Sequence, residues 1–157
     1  MREVARHARE TGEVTLAVEV INRYVTHFLN IAADAVRYCQ EIGMDNVKVH
    51  LDTFHMNIEE DSFGEAIRTA GSLLGHFHTG ENNRRVPGKG RLPWHEIGAA
   101  LREIGYDGAV VMEPFVKMGG GVGRDIKVGR DLSDGADEAA MDEAARQALA
   151  FSRYVLG

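Results

Sequence analysis

Val47-Lys48-Val49-His50-Leu51-Asp52-Thr53-Phe54-His55-Met56-Asn57 is the stretch that decides the fold. Val47, Val49 and Leu51 alternate with Lys48, His50 and Asp52, the period of two that marks a strand with one apolar face. The alternation stops at Asp52, and a histidine follows three residues later on the adjoining loop. That places a carboxylate and an imidazole at one rim of a sheet. An aspartate in this position is also a common turn former or helix cap, so the pair gains meaning only if other strands end in the same way.

Outward from this strand the same unit repeats. Residues 2–11 are helix-permissive and Gly12 closes them, with no strand before. Val14 to Val20 read as a strand, with Ala17 and Glu19 on one face and Leu16, Val18 and Val20 on the other. Phe28, Ile31, Ala32, Ala35, Val36 and Cys39 recur at helical spacing from Thr26 to Ile42, and Gly43 supplies the stop. After the central strand, Asp61 or Ser62 caps a helix to Ala70. Leu73 to His78 form a third strand, with Leu74, His76 and His78 on one face and His76 lining the interior. A polar loop over 79–93 leads into a helix from Trp94 to Glu103. Ala109 to Glu113 form a fourth strand, the glycine cluster in 117–136 reads as a flexible loop, and a helix over 138–154 ends the chain. Strand and helix alternating four times imply right-handed crossovers and a parallel sheet. The expected architecture is α/β, a (βα)4 arrangement in one domain over residues 1–157.

Composition excludes several classes. Hydrophobic residues make up 44% and charged residues 27%, ordinary for a globular protein. With 24 acidic against 18 basic residues the formal charge is −6, which argues against nucleic acid or an anionic membrane as partner. The lone Cys39 cannot form an internal disulfide and suits a reducing compartment. No apolar run reaches membrane-spanning length, and Met1-Arg2-Glu3-Val4 is unlike a signal peptide. A soluble, cytoplasmic protein is expected.

Each expected strand carries a potential metal ligand at its C-terminal end: Glu19, Asp52, His78 and Glu113. Their spacing stays close to the roughly 30 residues of one strand-helix unit. A parallel sheet brings such ends to one rim. Three carboxylates there repel one another unless a cation lies between them, and oxygen donors with one imidazole favour Mn²⁺, Mg²⁺ or Co²⁺. Each residue taken singly reads equally well as a capped turn or a satisfied core group. His55 lies within reach of the same rim, where it either hydrogen-bonds a substrate oxygen or faces solvent. Arg84 and Arg85 sit on the long loop, where one can clamp an oxygen-rich ligand. The basic run Arg84 to Arg91 lacks the spacing of a phosphate-binding loop.

Four segments carry a wider resemblance: Val49 to Glu60, Gly75-His76-Phe77-His78-Thr79-Gly80-Glu81-Asn82, Val86-Pro87-Gly88-Lys89-Gly90-Arg91-Leu92-Pro93-Trp94, and Val111-Met112-Glu113-Pro114-Phe115. Together they resemble the ketose 3-epimerases, the D-tagatose 3-epimerase/D-psicose 3-epimerase group of the xylose-isomerase-like TIM barrels. The resemblance implies that Glu19, Asp52, His78 and Glu113 bind the metal, usually Mn²⁺ or Co²⁺. It implies that Glu19 and Glu113 are also the acid/base pair, and that His55 and Arg84 hold the substrate. The implied reaction inverts C3 of a free ketohexose (D-fructose/D-psicose, D-tagatose/D-sorbose) by proton transfer through an enediolate. One glutamate takes the proton from one face while the other delivers one to the opposite face.

Members of this family are nearly twice as long, so the resemblance covers only their C-terminal half, strands five to eight. Four strands cannot close such a barrel, so two sheet edges and an apolar face are expected to lie open. Self-association as a homodimer or higher homo-oligomer would cover them. Val25 replaces a glutamate that contacts substrate in the family, Gly129 replaces an aromatic residue, and residues 11–13 carry an extra residue and lack a tyrosine. Two expectations follow: a metal-dependent ketose 3-epimerase, or a catalytically silent half-barrel module that still binds metal.

Overall fold

The computed structural model describes residues 1–157. Four strands form one parallel sheet in chain order: β1 (Leu16–Glu19), β2 (Val47–Asp52), β3 (Leu74–Thr79) and β4 (Val110–Met112). The helices are α1 (Arg2–Gly12), α2 (Ala32–Ile42), α3 (Thr53–Glu59), α4 (Phe63–Ala70), α5 (Trp94–Glu103), α6 (Gly120–Asp125) and α7 (Glu138–Leu156). No helix is long and apolar enough to cross a membrane.

The core lies between the outer face of the sheet and the helices. Val47, Val49, Leu51 and Phe77 point there and are fully buried, against Ala35 and Cys39 of α2, Ile67 of α4 and Ile97 of α5. Burying each large side chain contributes about 1.5–3 kcal/mol. Small residues let the helices close in. A Cβ at Gly98 of α5 would collide with the Val155 carbonyl of α7, so glycine is what permits that approach. Caps mark the helix starts: Ser62 accepts from Glu65 N at 3.2 Å, and Asp137 accepts from Ala140 N at 2.9 Å.

Helix α2 starts at Ala32 rather than Thr26. The preceding turn is held by Asn30, whose side chain donates to the carbonyls of Ile21 (2.5 Å) and Thr26 (2.9 Å), and Glu60 accepts from Ala32 N (2.7 Å). The apolar periodicity ran across a boundary set by side-chain hydrogen bonds. Two expected loops also contain helix. Asp52 accepts from Phe54 N at 2.7 Å and caps α3, so His55 stands on a helix, and α6 interrupts the glycine-rich loop.

A bulge reshapes β3. Val49 pairs with Leu74 and His50 with His76, leaving Gly75 as the extra residue. Leu74 therefore joins the core with Val49 instead of sharing a face with His76 and His78. Gly75 takes the crowded place, where a Cβ would strike that of Lys48. The uncovered inner face is accordingly not the apolar surface expected. It presents Lys48 and three histidines, His50, His76 and His78, whose ring centroids lie 4.1–4.9 Å apart. The expected open edges are present: β1 and β4 each have one neighbour, and Val110 and Val111 are exposed.

Candidate active site

Strand ends supply the site. Asp52 closes β2, His78 stands one residue before the end of β3, Glu19 closes β1, and Glu113 follows β4 directly. Two hydrogen bonds lock the central pair of strands: Thr53 Oγ1 donates to Gly80 O at 2.7 Å and accepts from Gly80 N at 2.9 Å. Glu113 N donates to Thr79 O at 2.9 Å, extending the ladder to Glu113.

Two potential ligand clusters share Asp52. One joins Asp52, His78 and Glu113, the other Glu19, Asp52 and His55, with ligand atoms in each within 4.8 Å of one another. His78 Nδ1 lies 3.8 Å from both Asp52 Oδ2 and Glu113 Oε1. The four residues thus meet around Asp52, with Glu19 grouped with His55 and Glu113 grouped with His78. Glu19 and Glu113 keep about a third of their side chains exposed, 31% and 34%, which leaves room to move.

The unpartnered atoms fit a cation. Asp52 Oδ2 and His78 Nδ1 are buried, and neither has a hydrogen-bond partner. A buried carboxylate oxygen without a donor is strongly disfavoured, and a divalent ion satisfies it. Ionisation at the site points the same way. Burial, then the Asp52 and Glu113 carboxylates, raise Glu19 to about 7, against the pull of Arg84. Burial and Asp52 raise Glu113, while burial depresses His78 despite the nearby Asp52. The groups shift toward their neutral forms because each lacks sufficient opposite charge.

Around this centre, Asn22 Nδ2 lies 2.7 Å from His55 Nδ1, and His55 Nε2 lies 3.8 Å from Glu19 Oε1. Arg84 stacks with its guanidinium carbon 3.5 Å from the Phe54 ring centroid and 5.1 Å from that of Phe115, and Nη1 lies 3.6 Å from Glu113 Oε2. Arg85 turns away to Asp134 at 3.2 Å. Arg84 occupies a left-handed backbone conformation at φ 64°, within a loop anchored by Glu81. Glu81 is wholly buried and accepts from Gly88 N (2.8 Å), Leu92 N (3.3 Å) and Trp94 Nε1 (2.8 Å).

Six site residues are thereby brought together: Glu19, Asp52, His55, His78, Arg84 and Glu113. Sequence reasoning missed Asn22, the Phe54/Phe115 clamp and Glu81. A carboxylate amid Gly, Pro and Trp in a long loop is a usable signal for Glu81, since such a loop needs an internal acceptor. The aromatic neighbours gave no signal, because exposed loop aromatics and arginine clamps look alike in sequence.

The parallel sheet, its outer helices and a polar cluster at the C-terminal strand ends define a TIM-barrel-type protein, and the chain belongs to the xylose isomerase-like TIM barrel family, which it matches over residues 1–151. Among characterised relatives it is similar to a D-psicose 3-epimerase of Agrobacterium fabrum, 69% identical over 98% of this chain and 53% of the relative. A second D-psicose 3-epimerase, from Ruminiclostridium cellulolyticum, is 61% identical over 99% of this chain and 53% of the relative. A crystal structure of D-psicose 3-epimerase in the presence of D-fructose superimposes with a TM-score of 0.97 at 67% identity, covering 99% of this chain and 54% of that one. The chain spans about half the length of the curated relatives it matches, consistent with half a barrel.

Proposed function

We propose that this chain carries the catalytic half of a ketose 3-epimerase and inverts C3 of free ketohexoses such as D-fructose/D-psicose. The observation that carries this reading is the buried, unpartnered pair Asp52 Oδ2 and His78 Nδ1 between Glu19 and Glu113, in a chain 69% identical to a D-psicose 3-epimerase. Asp52, His78 and Glu113, with Glu19 as the fourth ligand, would hold a divalent ion. Oxygen-rich donors with one imidazole suit Mn²⁺ first, with Co²⁺ or Mg²⁺ as substitutes. Such an ion supplies the positive charge that makes the hydrogen beside the ketone acidic enough to leave.

The residues of the chain do the rest. Glu19 and Glu113 reach the site from the two edge strands and are its acid and base. One carboxylate removes the C3 proton to give the enediolate, and the other, in its protonated form, returns a proton to the opposite face. In the metal-free chain burial and the neighbouring carboxylates raise the proton affinity of both Glu19 and Glu113, and a bound ion would offset that rise. His55 and Arg84 bind sugar hydroxyls, with Arg84 held over the Phe54 ring and near that of Phe115.

Residues 1–157 act as one domain in this proposal. Its open edges, β1 and β4, require a complement, and a second copy of the chain supplies it as a homodimer. The second reading, a half-barrel that binds metal without turnover, is favoured by those same edges and by Val25, which is 67% exposed and offers no acidic group. Incubation of purified protein with D-fructose and Mn²⁺, followed by chromatography for D-psicose, tests the proposal. Product that disappears in Glu113→Gln supports it, and metal binding without product supports the silent module.

A further inference from the structure

Beneath the carboxylate rim lies a second donor set with different chemistry. The bulge at Gly75 turns His76 onto the inner face opposite His50, and His78 stands beside both. Their rings meet edge to face at centroid separations of 4.8 Å (His50–His76), 4.1 Å (His50–His78) and 4.9 Å (His76–His78). One ring nitrogen from each lies within 4.8 Å of the other two. His50 is 7% exposed, and its Nε2 is buried with no hydrogen-bond partner. An imidazole nitrogen so placed in a histidine cluster lacks the donor or acceptor that burial normally demands. Lys48, the cation nearest along the strand, is drawn aside by its bond to Ser72 O at 3.2 Å.

We propose that His50, His76 and His78 form a second cation site, an all-imidazole triad that selects Zn²⁺ over Mn²⁺. Three neutral nitrogens match the tetrahedral preference of Zn²⁺ at Zn–N distances of about 2.0–2.1 Å, with the fourth position open to water. Mn²⁺ stands lowest in affinity for nitrogen donors and gains little from a site without carboxylates. Side-chain rotation can draw the nitrogens together onto one ion, because His76 and His78 are only half-buried on the open face. His78 belongs to both donor sets, so Zn²⁺ in the triad withdraws a ligand from the carboxylate site. Zn²⁺ and Mn²⁺ therefore bind in competition without occupying the same place.

Calorimetric titration of the full chain with ZnCl₂ and, separately, MnCl₂ tests this, using His76→Gln and Glu113→Gln. The expected pattern is a double dissociation. His76→Gln weakens Zn²⁺ by at least about tenfold and leaves Mn²⁺ within about threefold, whereas Glu113→Gln does the reverse. Co²⁺ added to Glu113→Gln gives the intense visible bands of a tetrahedral nitrogen site. Zn²⁺ affinity that follows Glu113→Gln and ignores His76→Gln overturns the triad, as do weak, octahedral Co²⁺ bands. Failure of the unsubstituted chain to bind Mn²⁺ or to epimerise bears on the proposed function alone, so the two ideas fail separately. His76 is less buried than His50, and circular dichroism of His76→Gln verifies that the fold is retained.

Discussion

Asn22 sets the tautomer of His55. Asn22 Oδ1 accepts from Tyr24 N at 3.0 Å, which turns Nδ2 toward His55 Nδ1 at 2.7 Å. An amide NH₂ only donates, so Nδ1 accepts and the imidazole proton sits on Nε2, the nitrogen that faces Glu19. Asn22 is 2% exposed, and burial lowers the basicity of His55, so this neutral tautomer prevails at neutral pH. Asn22→Asp removes the donor and favours the opposite tautomer. It is expected to lower kcat/KM for D-psicose formation about tenfold or more, the effect of one misdirected hydrogen bond of about 1.4 kcal/mol. Unchanged kinetics in a folded variant would show that His55 does not touch the sugar.

Glu19→Gln and Glu113→Gln separate inversion from proton exchange. Each is expected to reduce net epimerisation by about 100-fold or more. Each leaves one carboxylate, which still exchanges the C3 hydrogen of one epimer with solvent. Incubating both epimers in D₂O and following C3 deuteration by NMR should give opposite preferences for the two variants. The same preference in both would rule out a two-base arrangement.

Metal-induced stabilisation should grow with pH. Glu19 rises from its ordinary 4.5 to about 7 in the folded chain, so its contribution to metal-free stability is full below 4.5 and is lost as pH rises through 7. His50 falls from 6.5 to about 3, so its contribution is present above 6.5 and is lost as pH drops toward 3. Without metal the protein is therefore weakened from both sides. A divalent ion displaces the proton on Glu19 and removes the loss at high pH. Melting curves with and without MnCl₂ should show a Tm increase that is small at pH 5 and largest near pH 8. A pH-independent increase would place the ion away from Glu19.

Glu81 should matter as much as any core residue. Its three accepted hydrogen bonds hold the 79–93 loop on which Arg84 adopts its left-handed conformation. Glu81→Gln is expected to destabilise by about 3 kcal/mol, or about 6–12 °C in Tm, and to raise KM by loosening Arg84. A shift below about 2 °C would show the loop to be held otherwise.

Sedimentation velocity tests the assembly. A dimer is expected, strengthened by MnCl₂ because bound metal relieves carboxylate repulsion near the edges. A compact monomer with and without metal would overturn it.

Much of this was legible because it depends on spacing. Val47, Val49 and Leu51 announced a strand with one buried face, and repeated unit lengths brought Glu19, Asp52, His78 and Glu113 to one rim. What escaped depends on contacts between distant residues. Glu60 sets the start of α2 from 28 positions away, and Asn22 reaches His55 across 33. The bulge at Gly75 moves Leu74 off the histidine face, a change of phase that simple alternation cannot register.

β1 and β4 are different surfaces, so joining one to the other is a head-to-tail contact, repeatable without limit unless curvature brings the chain of copies back on itself. Closure at two copies yields a ring, while a small error in twist yields a growing string. Substitutions at Val110 or Val111 thus bear on whether the solution stays clear at high concentration, well before they bear on any chemistry at the rim.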